Sequence, residues 1–181
     1  MGKRLQIIKE AVPLASRVAL LDLRTLNYEQ RSRQPLREIS QRLEISLMDM
    51  MVQESTPSEY RRVFAKIAQE RPDAIIVSGK GELRPHRKLI VELVEKSRLP
   101  AIYGSREYME VGGLMAYEGD FGEIGRRMAD DVHQILNGAI PSDIPIYQPT
   151  KFTFVVNLKA ATALGLTIPP LTLARADELI E

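Results

Sequence analysis

Two stretches decide the fold: Arg17-Val-Ala-Leu-Leu-Asp22 and Asp73-Ala-Ile-Ile-Val-Ser78. Each is apolar at every interior position, with no alternation between faces. That is the pattern of a strand covered on both sides in a parallel sheet. Comparable runs recur at 44–50 (EISLMDM), 99–103 (LPAIY), 113–117 (GLMAY) and 151–157 (KFTFVVN). Helical signals separate them. Thr56-Pro57-Ser58-Glu59 is a capping box with proline in the first turn, in which Thr56 accepts from the Glu59 amide and Glu59 reaches back. Behind it Tyr60, Val63, Phe64, Ile67 and Ala68 form one apolar stripe, which Pro72 ends. A second helix is expected over 84–98 and a shorter one over 35–43. A third follows a cap at Asp120, with Ile124, Met128, Val132, Ile135 and Leu136 on one side and Gly138 beyond its end. Strand and helix alternating in this way predict an α/β fold, a three-layer sandwich around a mostly parallel sheet joined by right-handed crossovers.

In such sheets ligands bind beyond the carboxyl ends of the strands. The search for function therefore narrows to Asp22 and Arg24 after the first run, Ser78 and Lys80 after the third, Tyr103 and Arg106 after the fourth, and Tyr117 at the end of the fifth. Tyr103-Gly-Ser-Arg106-Glu-Tyr108 offers a flat apolar ring and a planar guanidinium at a sheet edge. The same residues also suit a surface turn with an Arg106–Glu110 helix pair. Ser78-Gly79-Lys80-Gly81 is glycine-rich but lacks the frame of a phosphate-binding loop. The glycines at 119, 122 and 125 run into a helix rather than opening one after a first strand.

Composition removes several function classes. The chain has 181 residues, with 25 Lys and Arg against 24 Asp and Glu, and no cysteine. A net charge of +1 lacks the basic excess of a dedicated nucleic-acid binder. Disulfide scaffolds, thiolate zinc sites and cysteine nucleophiles are absent. The two histidines, His86 and His133, have no ligand at metal spacing, and no serine sits in a nucleophile-elbow context. Neither a cofactor nor a metal is expected, and nothing amounts to an enzyme site. No stretch approaches the ~18 apolar residues of a membrane span. The opening residues carry no apolar run of the signal-peptide kind, since Lys9, Glu10 and Pro13 interrupt it.

Several blocks, in order, resemble the ABC-transporter substrate-binding proteins of the type I periplasmic-binding-protein fold, in the branch of tryptophan- and tyrosine-type binding components. The blocks are Leu99-Pro-Ala-Ile-Tyr-Gly-Ser-Arg-Glu-Tyr108, Gly112-Gly-Leu-Met-Ala-Tyr117, Gln148-Pro-Thr-Lys-Phe152, Val156 through Pro170, Ala174-Arg-Ala-Asp-Glu178, and the opening Lys3 through Pro13. The resemblance implies a carboxy-terminal lobe made of 16–117 and 148–181, entered by a lead-in helix over 1–15. Residues 118–147 would carry a helix that belongs against an amino-terminal lobe. It implies a small organic solute held in an inter-lobe cleft, an ABC permease as partner and a periplasmic location. A ligand-sensing regulatory module is the alternative, and a small α/β enzyme using Tyr103, Lys80 and Arg106 a more distant one. Relatives usually show aromatic-Asn-Pro where this chain has Asp22-Leu23-Arg24, and often Pro-Asp where it has Gly79-Lys80. An acid replaced by Lys80 suits an anionic ligand. Without an opposing lobe, the helix over 120–136 is expected to fold back on its own sheet or to pair with a second copy as a homodimer.

Overall fold

The computed structural model describes residues 1–23 and 34–181. The strands are β1 (Arg17–Leu23), β2 (Ser46–Val52), β3 (Ala74–Val77), β4 (Ala101–Tyr103), β5 (Met115–Gly119), β6 (Phe152–Asn157) and β7 (Glu178–Ile180). They form one sheet in the order β2-β1-β3-β4-β5-β6-β7. All neighbours are parallel except β5 and β6, which pair antiparallel. The α/β, mostly parallel architecture is therefore as the apolar runs predict. The central strands β3 and β4 are buried along their whole length, whereas the edge strands β2 and β7 are covered only in part. β7 has no counterpart among the expected runs; three residues are too few to show a period.

The helices are α1 (Gly2–Ala11), α2 (Gln34–Arg42), α3 (Pro57–Glu70), α4 (Arg87–Lys96), α5 (Phe121–Leu136), α6 (Leu158–Leu164) and α7 (Pro170–Leu173). Two cores lie on opposite faces of the sheet. One gathers Leu5, Ile8, Val18, Leu20, Ile76 and Val156 beneath α1, α2 and α6. The other gathers Leu21, Tyr60, Ile67, Val77, Ile90 and Tyr103 beneath α3 and α4. The alternation of Ile75 and Val77 with Ile76 between these cores explains the unbroken apolar run of β3.

The caps form with one difference. Thr56 Oγ1 accepts from the Glu59 amide at 3.4 Å, but the Glu59 carboxylate turns to Gln53 N at 3.0 Å and to Arg62 at 2.6 and 2.7 Å. It therefore ties α3 to the end of β2 rather than closing a reciprocal box. The expected helix over 84–98 begins as a 3-10 turn, Gly81–His86, with Pro85 inside it. Proline supplies no amide for the α-helical ladder, so regular α-helix starts only at Arg87.

Helix α5 stands apart. Asp120 Oδ1 caps it by accepting from Glu123 N at 3.0 Å, and Gly138 follows it at φ 95°. None of its residues is buried, and Phe121, Met128, Val132, Ile135 and Leu136 are exposed. The helix does not fold back on its own sheet. Among the described residues, no helix is long and apolar enough to cross a membrane, and no group of three His, Asp or Glu could hold a metal ion.

Candidate functional site

The carboxyl ends of β1, β3, β4 and β5 share one edge of the sheet. At β1, Asp22 is wholly buried, and its Oδ1 accepts from Leu23 N at 2.8 Å. At β3 the chain leaves through Ser78, whose amide donates to Leu21 O at 3.0 Å. The loop then carries Lys80 back over β1. Its Nζ lies 3.2 Å from Asp22 Oδ1 and donates to Leu23 O. A buried carboxylate costs several kcal/mol unless it is paired, and Lys80 supplies the pairing charge. Leu23 and Lys80, 57 residues apart in sequence, meet because β1 and β3 are sheet neighbours.

Beside the Asp22–Lys80 pair, Asp22 Oδ2 and Ser78 Oγ are buried and have no hydrogen-bond partner among the described residues; Glu118 Oε2, near the end of β5, is another such atom. Orphaned buried oxygens are uncommon in folded proteins and mark places where a ligand or water completes the network.

The loops after β3 and β4 come into direct contact. A Cβ on Gly104 would collide with the Gly79 backbone, and one on Gly79 would lie 2.9 Å from Gly104 O. Arg4 of α1 fixes the same corner. Its Nε donates to Tyr117 O at 2.8 Å and its Nη2 to Gly104 O at 3.3 Å. Gly104 lies just beyond β4, and Tyr117 lies in β5 just past its last residue paired with β4, so at both carbonyls the β4–β5 ladder has run out and a side chain satisfies them. Sequence reasoning missed Arg4, because nothing local shows that its helix crosses the carboxyl edge.

The remaining expected residues are placed elsewhere. Tyr103 is 1% exposed and stacks on Tyr108 in the core beneath α4, with centroids 4.6 Å apart. Burial pushes its hydroxyl well above the usual tyrosine range. Tyr117 lies on the opposite face, half-buried and stacked on Phe152 at 5.3 Å. Arg106 is engaged by Glu178 of β7 through contacts of 2.7 and 2.8 Å, rather than by Glu110. That pair closes the sheet beside the small cluster of Met109, Ala116 and Val155. Arg24 lies outside the described residues. The structure therefore brings together Asp22, Ser78 and Lys80. It sets Tyr103, Arg106 and Tyr117 in other surroundings.

Chemically, this edge offers a quenched ion pair and two oxygens poised to bond. His86, the histidine nearest in sequence, has its Nε2 2.9 Å from Ser55 O, and its ring centroid is 5.2 Å from that of Tyr60. A wall of hydrogen-bonding groups suits the holding of a solute.

Comparisons with known proteins bear on the family and the fold. Residues 1–180 match the family described as ABC transporter substrate binding protein. No curated protein sequence matches the chain. Among solved structures, an ABC domain in complex with L-Trp from Streptococcus pneumonia superposes with a TM-score of 0.87 at 22% identity, over 99% of this chain and 61% of that one. A conserved domain protein from Vibrio cholerae gives 0.83 at 22% identity, over 98% and 59%. A ligand-free, open substrate binding protein with adhesive properties from Clostridium difficile gives 0.70 at 16% identity, over 100% and 59%. The chain thus spans about three-fifths of the length of these structures. With a family match that runs from its first residue to its last but one, and a sheet that follows the fold of these proteins, the chain belongs to the ABC transporter substrate binding protein family.

Proposed function

We propose that the chain serves as the carboxy-terminal lobe of a solute-binding component of an ABC importer, and that its carboxyl edge forms one wall of the ligand cleft. One observation carries the reading: Asp22 Oδ2 and Ser78 Oγ are buried and, among the described residues, unpartnered beside the Asp22–Lys80 pair. Residues 118–147, with the exposed stripe of α5, pack on this reading against an amino-terminal lobe. Closure of two such lobes about a hinge is the signal that a permease reads. The place of action is the periplasm.

The ion pair bears on the ligand. Because Asp22 balances Lys80, the pair presents no net charge, and an anion would have to displace a carboxylate already held at 3.2 Å. A neutral or zwitterionic small organic solute, donating to Asp22 and exchanging a hydrogen bond with Ser78, fits better than the anion that Lys80 alone suggests.

The test is an amide-resolved NMR titration of the chain with amino acids, polyols and carboxylic acids. A single lobe supplies half the contacts, so weak binding is expected, with shifts at Leu23, Ser78, Lys80 and Gly104. D22N and S78A should abolish them. Shifts confined to the opposite end of the sheet, or chemical turnover of any member of the panel, would overturn the proposal.

A further inference from the structure

The amino ends of β4 and β5 lie at the edge of the sheet opposite the proposed cleft. A crevice of about 400 Å³ opens there between α4 and α6. Its walls are mostly apolar, with Val94, Leu99, Leu114, Ala160 and Leu164 among them. That volume falls within the usual range of small-molecule pockets, which combine an apolar lining with few polar groups.

Three polar side chains reach this space. Tyr103 lines it although only 1% of the residue is exposed. A ligand that carries a donor or acceptor can gain a hydrogen bond from a hydroxyl in such a wall. Glu95 and Arg98 stand at the rim, exposed and three residues apart. Arg98 follows the end of α4 in the left-handed conformation, at φ 51°. Gly112 completes the wall at φ 99°, and a Cβ there would come within 3.1 Å of Glu95 Oε1. Glycine therefore both permits the turn and leaves the carboxylate room.

We propose that this crevice is a second small-molecule site, which takes a neutral, largely apolar ring compound carrying one hydrogen-bonding group that meets the Tyr103 hydroxyl. The apolar walls receive the ring, and the Tyr103 hydroxyl selects for a donor or acceptor on it. A charged group would have to lie outward, between Glu95 and Arg98. The site is formed wholly within this chain, so it does not depend on the opposing lobe or on the reading of the carboxyl edge.

Phenol and toluene are the probes, since they share a ring and differ in one hydroxyl. Each is titrated into the full chain and followed at the amides of Leu99, Gly112, Leu114 and Ala163. Phenol is expected to shift these amides and to bind about 5–10-fold more tightly than toluene, the usual worth of one hydrogen bond. In Y103F, which keeps the ring stacked on Tyr108, that preference should vanish while toluene binding stays. Ala163 is exposed on α6 and borders the crevice, so A163L should block both probes without disturbing the fold. No shift at saturating phenol, shifts at other surfaces, a preference that survives in Y103F, or binding that survives in A163L would each overturn the proposal.

Discussion

At the residue scale, Gly79 and Gly104 are where two loops leave the sheet side by side, backbone against backbone. Neither needs a positive φ; each needs the absence of a Cβ. G104A should cost about 2–4 kcal/mol, because backbone rather than a flexible side chain must move. G81A meets nothing within 4 Å and should be neutral or slightly stabilising. Urea denaturation of the two variants checks the contrast, and equal midpoints would show that the loops yield. The Asp22–Lys80 pair makes a second prediction. K80M leaves a wholly buried carboxylate without its cation and should cost on the order of 2–4 kcal/mol, discounted because Lys80 is partly exposed. Adding D22N should restore most of the loss, and equal destabilisation in the double variant would deny the coupling. The strand-end rule reached Asp22, Ser78 and Lys80 from sequence, since it needs only the order of the runs. Their pairing was not legible, because it depends on β1 and β3 being neighbours. Tyr103 illustrates the other limit. A strand's last residue points to one face or the other, and a one-residue change of parity moves it from ligand wall to core.

At the scale of elements, acidic side chains fasten the starts and ends of strands. Asp73 Oδ2 accepts from Ser16 N and Arg17 N, each at 2.8 Å, and from Ser16 Oγ at 3.2 Å. It thus joins the entrance of β1 to that of β3. Hydrogen bonding, first from the Ser16 amide, holds its carboxyl below the usual range. Glu59, held by Arg62 and by the Gln53 amide, is drawn down to about 2. Both folded-state values lie beneath the ~3.9 and ~4.3 of free Asp and Glu. Their contribution is therefore complete above those values and is lost as pH falls towards the folded ones. The urea midpoint of the native chain should fall steeply between about pH 4.5 and pH 2. E59Q and D73N should each lower the midpoint at neutral pH and flatten that acid limb. An unchanged acid limb in the double variant would remove these carboxylates from the account. The capping residues of this layer, Thr56 and Asp120, were plain in the sequence, because a cap and its helix are local. The Arg106–Glu178 pair, spanning 72 residues, was not. Nor was β7, whose register comes from β6 rather than from any pattern of its own.

At the scale of the whole molecule, the sheet and its two cores account for every described strand and α-helix except α5. The five large apolar residues on that helix that meet solvent are 41–80% exposed, against the near-complete burial of Val18, Leu20 and Leu21 in β1 and of Ile75, Ile76 and Val77 in β3. Each such side chain is worth about 1.5–3 kcal/mol when covered. The stripe as a whole therefore represents several kcal/mol, a large share of the roughly 5–15 kcal/mol that typically holds a domain folded. Its amphipathic sequence was legible at once; what covers it was not, because a stripe records that it wants a partner and not which one. On the reading proposed here the partner is an amino-terminal lobe. Alone in solution, the chain should then associate through α5 as its concentration rises, and sedimentation velocity measures this directly. M128K/V132K should hold the chain monomeric. Because both residues are already exposed, the melting temperature should move little, as for ordinary surface substitutions of about ±0.5 kcal/mol. A protein carrying the amino-terminal lobe as well should behave oppositely: monomeric with the native stripe, and loosened between its lobes by the same two lysines. A monodisperse monomer of this chain at high concentration would mean that the stripe needs no cover, and the case for a lobe seated on α5 would fall with it.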